Sequence, residues 1–292
     1  MMNRRRFLGI AGAGLLSLGA GGRANEKKDR FRTISYNVLA FRGYPNNRKT
    51  QTRIKEKYEQ HPVMTANALV KFSPDIVTLQ EAPPEDRVAQ FAKTLEMPYA
   101  YFPGGWEGDT LYPGGFPGAI VTRFKIEEST NRPSAGAPHD KELFTRHLGY
   151  AKLAAPFGTL HVVSAHFHPM EREIRMREAA AIIEFVAQLR GSGPVLFQGD
   201  LNHRPEDPEY ALWGKAGLVD IGKAMGIGDK PTVPSVRPRN RIDYIWATPE
   251  LAKRAQRAEV LDKTPFIPEP DDPASYALSD HLPVMAEFLM AG

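Results

Sequence analysis

Hydrophobic residues occur along the chain in short runs that alternate with helical patterns. Seven runs, rich in β-branched and aromatic residues, have the length of β-strands: residues 33–38, 75–80, 118–122, 160–165, 195–198, 242–247 and 284–289. A period of 3.6 residues predicts helices over residues 52–71, 85–95 and 171–189. The last helix has the clearest apolar stripe, which consists of Ile174, Ala181, Ile182 and Phe185. Strands that alternate with helices predict a single α/β domain.

The first 24 residues follow a different pattern. The arginines Arg4, Arg5 and Arg6 precede an apolar run over residues 10–20, and Ala24 ends a small-x-small sequence. This order is typical of a bacterial export signal, and the paired arginines indicate the twin-arginine route. An uncleaved anchor is the less favoured alternative, since the apolar run is shorter than the roughly 20 residues that span a bilayer. We predict a cleaved signal over residues 1–24, a domain over residues 25–292, and a periplasmic or secreted protein.

The net charge of +4 depends on this predicted signal. The chain has 38 Lys and Arg against 34 Asp and Glu, and the signal contains four arginines but no acidic residue. The domain is therefore close to neutral, which argues against binding of nucleic acid through bulk charge. The chain contains no cysteine. An exported protein without disulfides must be stabilised by its hydrophobic core alone.

Most of the predicted strands lead into polar side chains that can bind a metal ion or transfer a proton. These are Asn37, Glu81, His166, Asp200, Asn202, Asp243, Asp280 and His281. Polar groups at the ends of buried strands are costly unless they are paired. We expect one shared site, with independent strand caps as the alternative. Carboxylate and amide oxygens without cysteine favour a hard ion, Mg²⁺ first and Mn²⁺ or Ca²⁺ as alternatives, and histidines can act as acid or base in attack of water on phosphorus.

The same residues lie in motifs that resemble those of the endonuclease/exonuclease/phosphatase superfamily. The motifs occur in order between about Arg32 and Leu289: SYNVLA, DIVTLQE, SAHFHP, GDLN, RIDYIW and SDHLPV. The resemblance implies a four-layer α-β-β-α sandwich, in which two mixed β-sheets are flanked by helices as in DNase I-like proteins. It also implies a metal-dependent phosphoric ester hydrolase, which includes phosphodiesterases, phosphatases and nucleases.

The resemblance further implies a metal side and a proton-transfer side for the site. Glu81 would be the principal metal ligand, with Asn37 and Asp280 beside it. His281 would deprotonate or orient the attacking water, and we expect it to be the general base. Asp243 would hold the other ring nitrogen of His281, at roughly 2.6–3.2 Å, since the neighbouring side chain of Asp280 is expected to point to the opposite face.

On the phosphate side, the resemblance implies that Asp200 and Asn202 position the nucleophile and a phosphoryl oxygen. His166 would contact the phosphate. Arg146 lies where the family often has a phosphate-contacting arginine, with a solvated charge as the alternative. His168 forms a His-x-His pair with His166, but zinc usually needs a third close ligand. We therefore expect His168 to line the pocket or to face solvent.

Several other features have two interpretations. We expect His203 in the pocket wall or on the surface, and structural or exposed positions for His61, His139, His147 and His161. The basic residues between positions 42 and 57 could attract phosphate near the site or could form a solvated helix face. The Gly/Pro-rich loops over residues 103–117 and 262–275 are long enough to shape a binding site.

The substrate stays open at this stage. The resembling motifs occur in enzymes that act on DNA, RNA, phospholipid head groups or sugar phosphates, and the near-neutral domain does not favour nucleic acid. A membrane surface would be a partner only for a lipid substrate, for which aromatic residues of the 103–117 loop could serve. A binding module without catalysis is a different class, which the complete set of acid, base and metal residues argues against. We expect a monomer.

Overall fold

The computed structural model describes residues 29–104, 115–132 and 143–290. Within them, one six-stranded sheet consists of β1 (Arg30–Asn37), β2 (Ile76–Gln80), β3 (Tyr99–Phe102), β4 (Gly118–Thr122), β11 (Ala255–Val260) and β12 (Val284–Leu289). The strand order across this first sheet is β11-β12-β1-β2-β4-β3. Strands β1 and β2 are parallel, and the other pairs are antiparallel.

The second six-stranded sheet consists of β5 (Lys125–Asn131), β6 (His147–Ala155), β7 (Gly158–His166), β8 (Val195–Asp200), β9 (Val219–Asp220) and β10 (Asp243–Ala247). The strand order is β5-β6-β7-β8-β10-β9. Strands β7 and β8 are parallel, and the other pairs are antiparallel. Both sheets are therefore mixed, as the resemblance implied.

Helices cover the outer faces of both sheets. They are α1 (Gln51–Lys57), α2 (His61–Val70), α3 (Glu85–Leu95), α4 (Arg172–Leu189), α5 (Pro208–Lys215), α6 (Ile221–Ala224) and α7 (Pro249–Ala252). Buried residues of α2 and α3 pack against the first sheet, and buried residues of α4 and α5 pack against the second. The predicted four-layer α-β-β-α sandwich is confirmed.

The layer between the two sheets changes from apolar to polar along the strands. Phe31 and Leu196 belong to the apolar end of this layer. Further along the same strands, Thr33 Oγ1 donates to Gln198 Oε1 at 2.9 Å, and Gln198 Nε2 donates to Thr78 Oγ1 at 2.8 Å. Each polar group is fully buried and has a partner, as buried polar groups require. The polar end of the layer leads directly to the catalytic candidates.

Each of the seven strands predicted from the sequence is present, but the predicted helix over residues 52–71 is wrong as a single element. A 3-10 turn at Tyr58–Gln60 separates α1 from α2, and Pro62, which has no backbone N–H, lies in the first turn of α2. The sequence pattern did not predict β3, β5, β6, β9, β11 or the short helices α5, α6 and α7.

The described part of the chain contains no helix long and apolar enough to cross a membrane. The predicted signal over residues 1–24 lies outside the described residues, and so does the predicted domain boundary at residue 25. Both stay predictions.

Candidate active site

Strand register in the second sheet places three of the predicted residues together. In the parallel pair β7–β8, His166 is opposite Asp200, and in the antiparallel pair β8–β10, Asp243 is opposite Asp200. Asp200 therefore occupies the middle of the group. All three side chains are almost completely buried, so their charges act on one another with little screening by water.

Gly199 allows the backbones around Asp200 to approach this closely. It adopts a φ of +156°, and a Cβ atom there would lie 1.9 Å from the backbone oxygen of Ala165. A side chain at this position would force β7 and β8 apart. The glycine of the GDLN motif is therefore required by the packing of two strands rather than by chemistry at the site.

Asn37 connects the two sheets at the site. Its Nδ2 donates to Asp200 Oδ2 at 3.0 Å and to Glu81 Oε1 at 3.3 Å. Its Oδ1 accepts the backbone N–H of Leu39 at 3.1 Å, which fixes the orientation of the amide. In this orientation, Asn37 holds two carboxylates in place with its amide nitrogen.

Two site residues have left-handed backbone conformations that non-glycine residues rarely adopt. Glu81 directly follows β2 with a φ of +47°, and Asn202 follows β8 with a φ of +50°. Such conformations cost of order 1–3 kcal/mol and persist where the surrounding structure enforces them. Asn tolerates this region better than Glu does, so Glu81 is the more unusual of the two.

His281 and Asp243 form a hydrogen-bonded pair. His281 Nδ1 lies 2.9 Å from Asp243 Oδ2 and 3.1 Å from Oδ1, within the range expected from the sequence. The other ring nitrogen, Nε2, lies 3.6 Å from Asp200 Oδ2. Thr232 Oγ1 donates to Asp243 Oδ2 at 2.5 Å. Sequence reasoning missed Thr232, because nothing in its loop distinguishes it from other polar loop residues.

The pKa values of His281 and Asp200 are both raised, for different reasons. Burial lowers the pKa of His281, but attraction to Asp243 and Asp200 outweighs burial and raises it well above its usual value. Burial raises the pKa of Asp200 to about 7, and repulsion from Asp243 and Glu81 acts in the same direction. His281 and the hydrogen bond from Asn37 oppose that rise. Both shifts follow from the burial of charged groups close to one another.

Arg146 lies inside the site. It donates to Glu81 Oε1 at 3.3 Å and to His166 Nε2 at 3.0 Å, and its guanidinium carbon lies 3.9 Å from the centre of the Phe116 ring. Its side chain is only 17% exposed, so the alternative of a solvated charge is wrong. Burial, and next the charge of Arg146, lower the pKa of His166 well below its usual value. Arg146 rather than His166 is thus the positive charge here.

Two more candidates lie at the rim of this group. The hydroxyl of Ser279 lies 2.7 Å from the backbone oxygen of Asn37 and 3.3 Å from Asp280 Oδ1, which places Asp280 beside the end of β1. The backbone N–H of Asn202 donates to Asp200 Oδ1 at 3.1 Å, and its side-chain amide donates to the oxygen of Phe167 at 2.9 Å. All eight predicted residues therefore lie in one connected group.

The residues fit a hard divalent cation. Carboxylate oxygens of Glu81 and Asp280 both lie close to Asn37, and oxygen ligands are those that Mg²⁺ prefers. Ligand atoms of Asp200, Asp243 and His281 also lie within 4.8 Å of one another. In His281, the hydrogen bond of 2.9 Å to Asp243 already occupies Nδ1, so only Nε2 is left as a possible ligand atom. As oriented, Asn37 holds Glu81 through a nitrogen, so direct ligation by Asn37 stays a prediction.

The remaining histidines have structural partners. His168 Nδ1 accepts the backbone N–H of Glu171 at 2.9 Å, beside the start of α4. His203 is buried, and Trp213 Nε1 donates to its Nε2 at 3.0 Å, so the expectation of a pocket wall or surface position is wrong. The other described histidines, His61, His147 and His161, are also buried and hydrogen-bonded. His139 lies outside the described residues.

A cavity of about 330 Å³ opens beside Arg146. Its lining residues are Phe116, Thr145, Arg146, His168, Pro169 and Met170. His168 thus contacts a cavity next to the site, as one of the two sequence interpretations expected. Met170 is 78% exposed at its edge. The cavity therefore combines one positive charge with mainly apolar walls.

The loop over residues 262–275 lines a larger cavity of about 580 Å³. Its lining contains none of the eight site residues, but Ser235 in the wall donates its backbone N–H to the oxygen of Asp280 at 2.6 Å. This cavity therefore adjoins the Asp280 side of the site. Of the loop over residues 103–117, positions 105–114 lie outside the described residues.

The basic residues between positions 42 and 57 do not form one phosphate-facing group. Arg53 makes an ion pair with Asp272 of the 262–275 loop. Lys55 and Lys57 are exposed on α1. The solvated-face interpretation fits this half of the segment.

A two-sheet α/β sandwich with a buried His–Asp pair beside carboxylates at its rim is the architecture of a metal-dependent phosphoesterase. The chain matches the model of the Endonuclease/Exonuclease/phosphatase family over residues 34–281, and it belongs to this family. The resemblance seen in the sequence is confirmed. The protein is accordingly a phosphoric ester hydrolase of a family that depends on divalent metal ions.

Comparison with known proteins identifies several relatives. Uncharacterized protein YbhP of Escherichia coli strain K12 is 27% identical over 197 residues, which are 62% of this chain and 74% of that protein. Exodeoxyribonuclease III of Haemophilus influenzae is 25% identical over 261 residues, which are 75% of this chain and 91% of that protein. A mannosyl-6-phosphatase of Bacteroides thetaiotaomicron has the same fold, with a TM-score of 0.66, 20% identity, and coverage of 88% and 98% of the two chains.

Proposed function

We propose that the protein is an exported, Mg²⁺-dependent hydrolase of phosphodiesters or phosphomonoesters, with His281 as the general base. The observation that carries this proposal is the hydrogen bond of 2.9 Å between His281 Nδ1 and Asp243, which leaves His281 Nε2 toward Asp200. Asp243 fixes the ring tautomer and stabilises the imidazolium that forms on proton transfer. Thr232 holds Asp243 in turn.

In the proposed reaction, water attacks phosphorus as His281 Nε2 accepts a proton from it. The bond from phosphorus to the leaving oxygen breaks, and that oxygen keeps the electron pair and takes a proton from solvent. Glu81 and Asp280 would hold the cation. When bound, a divalent cation supplies charge stabilisation at the phosphoryl oxygens and favours the neutral imidazole of His281. Asp200, at 3.6 Å from His281, orients the attacking water.

Arg146, His166 and Asn202 would hold the phosphate. Arg146 lies between Glu81 and the cavity, where its guanidinium can donate to phosphoryl oxygens. His166, neutral because its pKa is lowered, contributes hydrogen bonding without charge. Asn202 stands beside Asp200 at the rim and would contact a phosphoryl oxygen.

The substrate class rests on the cavity beside Arg146. The relatives include an exodeoxyribonuclease and a mannosyl-6-phosphatase by name, so the family chemistry alone does not select a substrate. The near-neutral domain makes a nuclease the less favoured option. A second candidate is a phospholipase C-type reaction on lipid head groups. The apolar cavity walls and exposed Met170 support this candidate.

The test is hydrolysis of a panel by the purified domain, with Mg²⁺ and after chelation. The panel contains a chromogenic phosphodiester, plasmid DNA, sphingomyelin, phosphatidylcholine and inositol phosphates. We expect turnover of at least one ester with Mg²⁺ and its loss on chelation, with recovery when Mg²⁺ is restored. Turnover that persists in chelator would contradict the proposed function.

Export is a separate part of the proposal and rests on the arginine cluster at Arg4–Arg6 and the apolar run after it. Replacing Arg4 and Arg5 by Lys keeps the charge but removes the guanidinium pair. We expect unprocessed precursor to accumulate in the cytoplasm of a bacterial host. Normal periplasmic accumulation of this variant would refute the twin-arginine route.

A further inference from the structure

Helix α4 carries a carboxylate on the face that packs against the second sheet. Glu178 lies one helical turn from Ile174 and from Ile182, at the i and i+4 spacing that places residues on one face. It is completely buried, and burial raises its pKa to about 7. A buried carboxylate is costly unless hydrogen bonds compensate it, so its partners indicate why it is there.

Both carboxylate oxygens of Glu178 bind backbone N–H groups. Oε1 accepts from Phe144 and Oε2 from His168, each at 2.9 Å. Phe144 is two residues before Arg146, and His168 is two residues after His166. One carboxylate thus joins two chain segments that both line the cavity beside the site.

A second charged residue on α4 holds one of these two segments as well. Arg175, one turn earlier on α4, donates to the backbone oxygens of His168 and Pro169, each at 3.3 Å. It also pairs with Glu209 of α5 at 2.8 Å, and Glu209 is fully buried. Helix α4 therefore holds the cavity wall through charged side chains rather than through apolar contacts alone.

We propose that Glu178 is a positioning residue, which holds Arg146 and the cavity wall where the substrate phosphate binds. Glu178 does not touch the substrate and acts through the two backbone segments. This inference rests on the proposed function, because Arg146 must bind a phosphate for its position to matter. None of the six motifs that resemble the family contains Glu178, and its role follows from its two hydrogen bonds.

The test uses Glu178→Gln, which keeps the shape but offers one acceptor oxygen in place of two. An amide N–H₂ then faces a backbone N–H, so one of the two segments loses its attachment. For a chromogenic phosphodiester with Mg²⁺, we expect KM to rise roughly tenfold, with a smaller change in kcat. In an Arg146→Ala background, the same substitution should change KM less than about twofold, since both changes act on one unit.

Asp220→Asn is the matched control. It removes a buried ion pair with Arg241, at 2.6 Å, on the far edge of the second sheet. We expect this control to lower stability without changing KM in either background. If Glu178→Gln does not fold, Glu178→Asp replaces it, since its side chain is one methylene too short to reach both segments. The same measurements of KM are then made with and without Arg146→Ala.

An unchanged KM in a folded Glu178 variant would overturn the inference. An equal rise in KM with and without Arg146 would also overturn it, because Glu178 would then act by another route. Both results leave the proposed function intact. A wild-type domain that hydrolyses no phosphoester would overturn both proposals.

Discussion

At the scale of single residues, the site is organised around one carboxylate oxygen. Asp200 Oδ2 has nitrogen atoms of Asn37, His166 and His281 at 3.0, 3.3 and 3.6 Å. One oxygen thus lies close to the first sheet, to His166, which we propose contacts the phosphate, and to His281, the proposed general base. This arrangement explains why motifs far apart in the chain act together.

The metal assignment leads to a prediction for Glu81. Glu81→Gln keeps the shape but removes the charge that a divalent cation needs. We expect Mg²⁺ affinity, measured by titration calorimetry, and turnover to fall together by at least tenfold, while circular dichroism stays unchanged. The control is Asp75→Asn, which changes another buried carboxylate, just before β2 and bonded to the backbone of Arg32. This control should leave Mg²⁺ affinity unchanged. Wild-type affinity in Glu81→Gln would show that the metal lies elsewhere.

Residue-level reasoning from the sequence found the motif residues but not their supports. The partnership of His281 with Asp243 followed from the motifs and from the alternation of neighbouring side chains. The hydrogen bond from Thr232 to Asp243 could not be predicted, because a threonine in a loop is common and does not by itself indicate a partner. Glu178 could have been noticed in the sequence, because a carboxylate between Ile174 and Ile182 interrupts the apolar stripe of α4. The expectation for His203 was wrong because its position after Asn202 suggested a place near the site. Its ring instead packs against the aromatic rings of Trp213 and Tyr244.

At the scale of elements, the informative feature is the polar face between the sheets. Alternating apolar and polar residues usually place the polar ones in solvent. Here Thr33, Thr78 and Gln198 face the other sheet and bind one another. The sequence pattern shows the alternation but not which face meets the second sheet, so it could not predict this buried polar layer.

The close approach of β7 and β8 predicts a severe effect at Gly199. Gly199→Ala places a Cβ 1.9 Å from the backbone of Ala165, and the strands must separate. We expect a loss of unfolding free energy of more than about 2 kcal/mol and loss of turnover, as Asp200 moves. Gly214→Ala in α5 meets nothing within 4 Å and should stabilise by roughly 0.5–1 kcal/mol. Urea unfolding measures both, and a stable, active Gly199→Ala would contradict the packing argument.

A pH prediction concerns β6, which carries His147. Burial, and next the charge of Arg132, lower the pKa of His147 to about 3, against about 6.5 in the unfolded chain. Between these values only the unfolded chain binds this proton, so stability falls as the pH falls. From pH 7 to pH 5, the wild type should lose about 2 kcal/mol more than His147→Gln. Urea unfolding at both pH values checks this, and equal losses would contradict a neutral buried His147.

At the scale of the whole molecule, the sandwich brings residues from position 37 to position 281 to one rim. The motifs were sufficient to predict this fold, because their order and spacing are specific to it. Edge strands such as β5 were missed since their residues are mostly exposed and lack an apolar face. The substrate is set by cavities that form between distant segments, and no local pattern in the sequence encodes such a cavity.

The central claim is that His281 and Asp243 act as one proton-transfer unit on a phosphoester. The most direct measurement is a double-mutant cycle on kcat/KM for a chromogenic phosphodiester with Mg²⁺. His281→Ala and Asp243→Asn should each lower it by about 10²–10⁴-fold, or roughly 3–5 kcal/mol of barrier. The double variant should lose little more than the worse single variant, because groups that act as a unit are non-additive. Fully additive losses, or a His281→Ala enzyme near wild-type activity, would contradict the account.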